Sequence, residues 1–251
     1  MKITILYSGG LDSRILYHYA KKTYPDAEVT AVYYKHGCDS EASEISRLPD
    51  FVKIRTLDWL GSEIQPLSKK SDPFASNIYI PGRNLVFAAL AACQELPDEV
   101  WMGTLVDENN DQATDKNEMF RNKTSELLSY VLSPFKDSIT LRFPFVELNF
   151  TKRDSVKWAL ENGLDQEELK KTTSCWHNHN GIQCGKCKQC LKRDLVFLLN
   201  GIQEEYEVDP FTDPEQILRM KEYLKVYEEG SANADEKAMA EMIIEYQEKK
   251  L

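Results

Sequence analysis

Residues 2–7 are a short apolar run of β-favouring types that stops abruptly at Ser8-Gly9-Gly10. Beyond that turn the period changes. Over residues 12–22 the apolar positions Ile15, Leu16, Tyr19 and Ala20 recur at helical spacing, which predicts a helix directly after the glycines. Residues 28–34 and 52–57 read as further strands, with a short helix over 40–47 between them. A helix over 84–95 and a fourth strand over 99–105 follow. Residues 107–117 are polar and irregular, as expected of a loop or lid. After them come a helix over 117–131 and a short strand near 139–143. Thr151, with Asp154 three positions on, has the capping-box form and opens another helix. Helices are also predicted over 194–205, 213–228 and 235–249.

Strands alternating with helices predict an α/β fold, a mostly parallel sheet with helices on both faces. In such sheets ligands gather at the carboxyl ends of the strands. The division expected is a nucleotide-binding domain over 1–165 and a metal-binding and helical C-terminal region over 166–251.

The chain has 251 residues, 42% hydrophobic and 10% aromatic, enough to bury a full core. Lys plus Arg number 31 against 41 Asp plus Glu, a net charge of −10. That balance argues against a nucleic-acid-coating protein, which needs a basic surplus to neutralise phosphates. The only dense basic run, Lys186, Lys188, Lys192 and Arg193, reads as a solvated face. No stretch approaches the ~20 apolar residues of a membrane helix, so a membrane partner is not expected. A cytoplasmic location is expected. There thiols stay reduced, and clustered cysteines point to a metal before disulfides.

Two motifs carry chemistry. Ser8, Gly9, Gly10, Leu11, Asp12 and Ser13 join the first strand to the first helix. The glycines let backbone N–H groups approach an anion, and the positive end of the helix dipole points the same way. No lysine follows the loop, so it is not a Walker-type loop. The second motif is Cys175, Cys184, Cys187 and Cys190, spaced C-x8-C-x2-C-x2-C. Four thiolates at such gaps can share one tetrahedral zinc, which would be structural because no coordination position stays open. Iron–sulfur ligation uses similar spacings. His177 and His179 lie within the same loop, and Cys38 and Cys93 lie apart, Cys93 on a helix among alanines as a core residue.

The loop matches the S-G-G-x-D-S signature of the PP-loop (N-type) ATP pyrophosphatases. Further stretches agree with one branch of them: Tyr79-Ile80-Pro81-Gly82-Arg83-Asn84, Thr173-Ser174-Cys175-Trp176, and Cys184-Gly185-Lys186-Cys187-Lys188-Gln189-Cys190 followed by Arg193. Over roughly residues 2–200 the chain resembles the 7-cyano-7-deazaguanine synthase family of the queuosine pathway. The resemblance implies a Rossmann-like fold of the adenine nucleotide hydrolase type with a small zinc-binding subdomain. It implies an ATP-dependent carbon–nitrogen ligase that turns 7-carboxy-7-deazaguanine and ammonia into the nitrile, through an adenylated intermediate and an amide. ATP is then a substrate, Zn2+ structural and Mg2+ a helper at Asp12. Asp12, Ser13 and Arg83 would be catalytic, and Arg83 and Asn84 would join the loop around ATP. A homodimer is also implied.

The family's D-x-S-G-Y-P-D-C-R-x-x-F segment is altered here. Asp115 and Phe120 keep the D-x4-F spacing and are expected to bind the deazapurine, but the Ser-Gly-Tyr-Pro and Cys-Arg elements are absent. The alternative is therefore a PP-loop amidase or thiolase acting on a tRNA base or another small carboxylate. A thiolase would draw on Cys38 or Cys93.

Overall fold

The structure is a computed structural model describing residues 1–37, 41–57, 82–108, 114–175 and 182–250. The calls on Cys38, Tyr79, Ile80, Pro81, Trp176, His177 and His179 lie outside these residues. Five strands, β1 (Lys2–Leu6), β2 (Glu28–Lys35), β3 (Val52–Thr56), β4 (Glu99–Trp101) and β5 (Thr140–Arg142), form one parallel sheet in the order β3-β2-β1-β4-β5. Each pair is in parallel register, for instance Ile3 beside Val29 and Glu99. The chain winds outward from β1 in both directions, so the order reverses there. In sheets of this kind ligands bind at that point, above the carboxyl ends of the central strands.

Helix α1 (Leu11–Thr23) follows β1, α2 (Glu41–Ile45) follows β2, and α3 (Arg83–Glu95) leads into β4. A 3-10 turn at Val106–Glu108 comes after β4, and α4 (Glu118–Leu132) leads into β5. Then follow α5 (Pro144–Glu147), α6 (Lys152–Glu161), α7 (Gln166–Lys170), α8 (Lys188–Leu199), α9 (Pro214–Glu228) and α10 (Ala234–Lys250). Among the described residues no helix is long and apolar enough to cross a membrane.

Alternation along the strands explains the layers. Ile3, Ile5 and Trp101 point to one face, where Leu11, Ile15 and Leu16 of α1, Val156 of α6 and Leu195 and Phe197 of α8 cover them. Val32, Tyr34, Val100, Met102 and Leu141 point to the other, against Ala88, Ala91 and Ala92 of α3 and Leu128 of α4. The first core also takes in Met239, Ala240, Met242 and Ile243 of α10, so the last helix is a structural wall. Burying a Met or Ile side chain contributes roughly 1.5–3 kcal/mol, so these residues hold α10 firmly.

Local signals decide where several helices start. Thr151 and Asp154 form the reciprocal capping box at α6. Asp213 accepts from the amides of Glu215 and Gln216, with Pro214 in the first turn of α9. Asn117 caps α4 through the amide of Phe120.

Three expectations need correction. The fourth strand ends at Trp101, because the chain turns away over the glycine loop before Leu105. The helix expected over 194–205 spans Lys188–Leu199, since Cys187 is already its N-cap and the last cysteine sits in its first turn. Cys93 is exposed, because it falls on the solvent side of the last turn of α3.

Candidate active site and metal centre

The glycine loop crosses the carboxyl end of β1, at the switch point. Gly9 has φ +75°, a left-handed conformation that favours glycine. The Ser13 hydroxyl donates to the Gly10 carbonyl at 2.9 Å, and the Gly10 amide donates weakly to Ser8 Oγ at 3.3 Å. Ser13 is buried and Ser8 exposed. Ser13 thus shapes the loop from inside, and Ser8 faces outward. The Thr173 amide donates to the Gly9 carbonyl at 3.1 Å, tying the loop to the strip that leads into the cysteines.

Beside the loop lies a cluster of buried and half-buried charges that sequence patterns do not display. Lys152, the first residue of α6, reaches Asp12 at 3.0 Å. Lys116 holds Glu108 at 3.3 Å. Lys192 is buried between Asp107 and Asp235, at 2.8 Å from each. Burial pushes the Asp12 carboxyl upward, and the Lys152 ammonium pulls it back only in part. Burial acts on Glu108 in the same direction, but Lys116, Lys152 and Lys192 outweigh it and hold that carboxyl at about 2. Asp12 Oδ1 and Asp107 Oδ1 are buried without a hydrogen-bond partner. An orphaned carboxylate oxygen is costly, and a ligand, metal-bound water or cation arriving at the loop would relieve it.

Helices α3 and α4 run back towards the start of the next strand, so their first turns stand at the same sheet edge as the glycine loop. Arg83 opens α3 after Gly82 and is half-buried. Asn84 is buried and donates from Nδ2 to the Asp115 carboxylate at 2.9 Å. The structure therefore joins two of the expected residues directly. Phe120, two positions into α4, lines a cavity of about 350 Å3 with Leu85, Met119, Lys123 and Leu127. Cys93 stands at the other end of α3, two residues before Glu95, whose carbonyl accepts from Lys2 at the start of β1. That places Cys93 at the amino edge of the sheet, away from the loop. It is badly placed for sulfur transfer.

The four cysteines converge as expected. Their sulfurs all lie within 4.8 Å of one another and all four residues are buried. Cys184 and Cys190 stand 3.9 Å apart, Cys187 and Cys190 3.4 Å. Tetrahedral Zn–S bonds of ~2.3 Å place sulfurs just under 4 Å apart, so the quartet fits a single ion. It is too tight for cysteines placed around a four-iron cube. The Cys175 and Lys186 segments are anchored by amide contacts to sulfur, Cys184 N to Cys175 Sγ and Lys186 N to Cys184 Sγ, each 3.4 Å. Gln216 of α9, fully buried, donates to the carbonyls of Gly185 at 3.0 Å and Cys187 at 2.7 Å. Gln183 Oε1 accepts from the amides of Ser174 and Cys175.

Apart from Lys186, which is exposed, the basic run is not a solvated face. Lys192 and Arg193 are buried, and Lys188 pairs with Asp235 at 2.6 Å. Arg193 clamps Glu204 through Nε at 2.6 Å and donates to Thr172 Oγ1 and the Leu169 carbonyl. Lys188, Lys192 and Arg193 thus hold the subdomain together and are not displayed to a polyanion.

A parallel sheet with a glycine-lined loop heading a helix at its switch point, and a four-thiol cluster that could hold a metal alongside, defines an α/β fold of the kind that binds nucleotides. Residues 2–201 match the sequence profile described as queuosine biosynthesis protein QueC, and the chain belongs to that family. It is 28% identical over 224 residues to the 7-cyano-7-deazaguanine synthase of Nitratiruptor sp., covering 82% of this chain and 97% of that one. To the 7-cyano-7-deazaguanine synthase of Archaeoglobus fulgidus it is 26% identical over 258 residues, covering 95% and 100%. A solved U34-tRNA thiolase from Methanococcus maripaludis, with its [4Fe-4S] cluster, covers 96% of this chain and 70% of its own at a TM-score of 0.39 and 10% identity. That likeness is too loose to decide what the cysteines hold.

Proposed function

We propose that the chain is an ATP-dependent 7-cyano-7-deazaguanine synthase. The observation that carries this reading is the glycine loop at the switch point with the Asp12–Lys152 pair beside it, in a chain of the QueC family. The carboxylate oxygen of 7-carboxy-7-deazaguanine attacks the α-phosphorus of ATP, and the P–O bond to the leaving pyrophosphate breaks. Ammonia displaces AMP from the acyl adenylate and loses a proton, leaving the amide. A second ATP activates the amide oxygen in the same way, with loss of pyrophosphate; the nitrogen then gives up its two protons and AMP departs with that oxygen as the nitrile forms. Each nitrile then accompanies two AMP and two pyrophosphates.

The residues divide this work. Amides of Gly9, Gly10 and Leu11, at the head of α1, receive the β- and γ-phosphates, and Ser8 adds its hydroxyl. Lys152 is held by Asp12 near the point where pyrophosphate charge develops. Arg83, at the head of α3, meets a phosphate or the carboxylate. Asp115, steadied by Asn84, accepts from the purine's amide edge, with Phe120 packing beside it. Asp12 Oδ1, buried and unsatisfied, suits a water on Mg2+, which when bound would supply positive charge to the phosphates. The cysteines hold structural Zn2+.

The test is incubation of purified protein with ATP, ammonium and the 7-carboxylate, followed by mass spectrometry. The account expects nitrile and amide with AMP and pyrophosphate. ATP binding without turnover of this carboxylate would refute the substrate.

A further inference from the structure

Helix α8 faces two ways. Cys187 caps it and Cys190 lies in its first turn, so one side belongs to the four-thiol centre. Lys192, two residues beyond Cys190, is turned about 200° round the helix from it, at about 100° per residue. Its side chain is only 5% exposed. The ammonium donates to Asp107 Oδ2 and to Asp235 Oδ1, each at 2.8 Å. Lys188, one turn earlier on the same side, donates to the other Asp235 oxygen at 2.6 Å. One lysine thus ties together the cysteine-bearing helix, the last helix α10 and the 3-10 turn after β4.

Asp107 is the middle residue of that turn and is buried. Its neighbours lead to both halves of the site. On one side the Val106 amide donates to the Phe150 carbonyl at 3.1 Å, two residues before Lys152, which reaches Asp12. On the other, Glu108 accepts from Lys116, the residue after Asp115, whose carboxylate accepts from Asn84. The Lys192 charge is also felt at Asp12 and Glu108, where it favours the ionised carboxylates. A shift of Asp107 would therefore disturb both the cation beside the leaving group and the carboxylate assigned to the purine. The charges balance, Lys188 and Lys192 against Asp107 and Asp235, so no ligand is needed to neutralise them. Stability does not call for them either, since a buried ion pair and an apolar set of similar volume are often equally stable. What the buried pairs add is direction: an ammonium gripped by two carboxylates leaves Asp107 one placement.

We infer that Lys192 is a positioning residue for the reaction: by bridging Asp107 and Asp235 it sets the turn from which the Lys152–Asp12 pair and Asp115 take their places. It acts through Asp107 and not on the substrates themselves. The C-terminal region thus reaches the chemistry through one side chain, although Asp235 lies outside the residues 2–201 that the family profile matches. The catalytic consequence rests on the synthase reading of the site; the placement of the turn does not.

The experiment uses the full-length, metal-loaded chain with Lys192→Met, the double variant Lys192→Met/Asp107→Asn, and Lys237→Met, which removes an exposed cation from α10. The double variant leaves no buried charge alone, because Lys188 still holds Asp235. It should keep its metal and melt close to the parent. Amide exchange over residues 105–108 and 114–118 should nonetheless quicken about tenfold. Its kcat should fall about 10- to 100-fold and its KM for the deazapurine rise about tenfold, while KM for ATP stays put. Lys237→Met should match the parent throughout. A double variant with parental exchange, kcat and KM would overturn the inference. So would a double variant that regains both the stability and the activity lost in Lys192→Met, the mark of a merely structural pair. Should the parent chain fail to turn over the 7-carboxylate, the synthase reading fails and the exchange data alone decide. Quickened exchange then upholds the placement by Lys192, and parental exchange overturns it.

Discussion

Substituting Gly185→Ala tests how the metal loop is held. Gly185 lies between the first two of the three closely spaced cysteines with φ +76°, and a Cβ there would stand 1.6 Å from the Val208 carbonyl oxygen. Two costs follow. Placing alanine in the left-handed region costs about 1–2 kcal/mol. The overlap can be relieved only by moving backbone, because the obstacle is a carbonyl and not a flexible side-chain tip. That displacement would loosen the Glu207 N to Gln183 carbonyl bond at 2.9 Å, and with it Gln183, which steadies Cys175. Overpacking of this kind adds typically 1–3 kcal/mol, so the total is roughly 2–5 kcal/mol against a whole-domain stability of about 5–15 kcal/mol.

Gly201→Ala separates the two costs. Its φ is also +76°, yet nothing lies within 4 Å of the added Cβ. Metal content after gel filtration, rate of metal loss to a chelator, and thermal midpoint should all be measured for both variants. Gly185→Ala should lose metal quickly and melt well below the parent. Gly201→Ala should keep its metal and melt only slightly lower. Equal behaviour of the two, or full metal retention by Gly185→Ala, would refute the reasoning.

Three further outcomes follow from the same geometry. Lys152→Met removes a cation from beside the leaving group and should lower kcat by about 100- to 1,000-fold in a pyrophosphate-release assay, with ATP still bound; an unchanged kcat would contradict its role. Asn84→Ala frees the Asp115 carboxylate and should raise KM for the deazapurine about tenfold while KM for ATP stays put, which initial-rate kinetics would read. Glu108 is held at about 2 against an ordinary value of 4.5, so its contribution is complete above pH ~4.5 and is lost as pH falls towards 2. That shift corresponds to at most about 3 kcal/mol, less for partial solvent contact, and urea midpoints should fall over this range in the parent and less in Glu108→Gln.

The order of strands and helices was legible because β1, α1 and β2 have clean periods and a glycine boundary. The cysteine centre was legible from spacing alone, since its last three ligands lie within seven residues. The buried charges were not. Lys192 looks like one member of a surface basic run, and only the fold brings Asp107, 85 residues away, and Asp235, 43 away, against it. Lys152 sits one residue after a helix cap, and nothing local sets it apart from Arg153 or Lys157. The start of α8 was misplaced for a related reason: cysteines gathered round an ion read as loop, although Cys187 caps the helix and Cys190 lies within it. The C-terminal helices, polar in sequence, are tied in by Gln216 and Asp235, whose partners are again distant in the chain.

The central claim is that the glycine loop holds departing pyrophosphate while a substrate oxygen attacks the α-phosphorus. Labelling the 7-carboxylate with oxygen-18 and following the products by phosphorus NMR tests it directly. The account predicts that the label appears in AMP, with unlabelled pyrophosphate. Label in inorganic phosphate, with ADP as the nucleotide product, would contradict it.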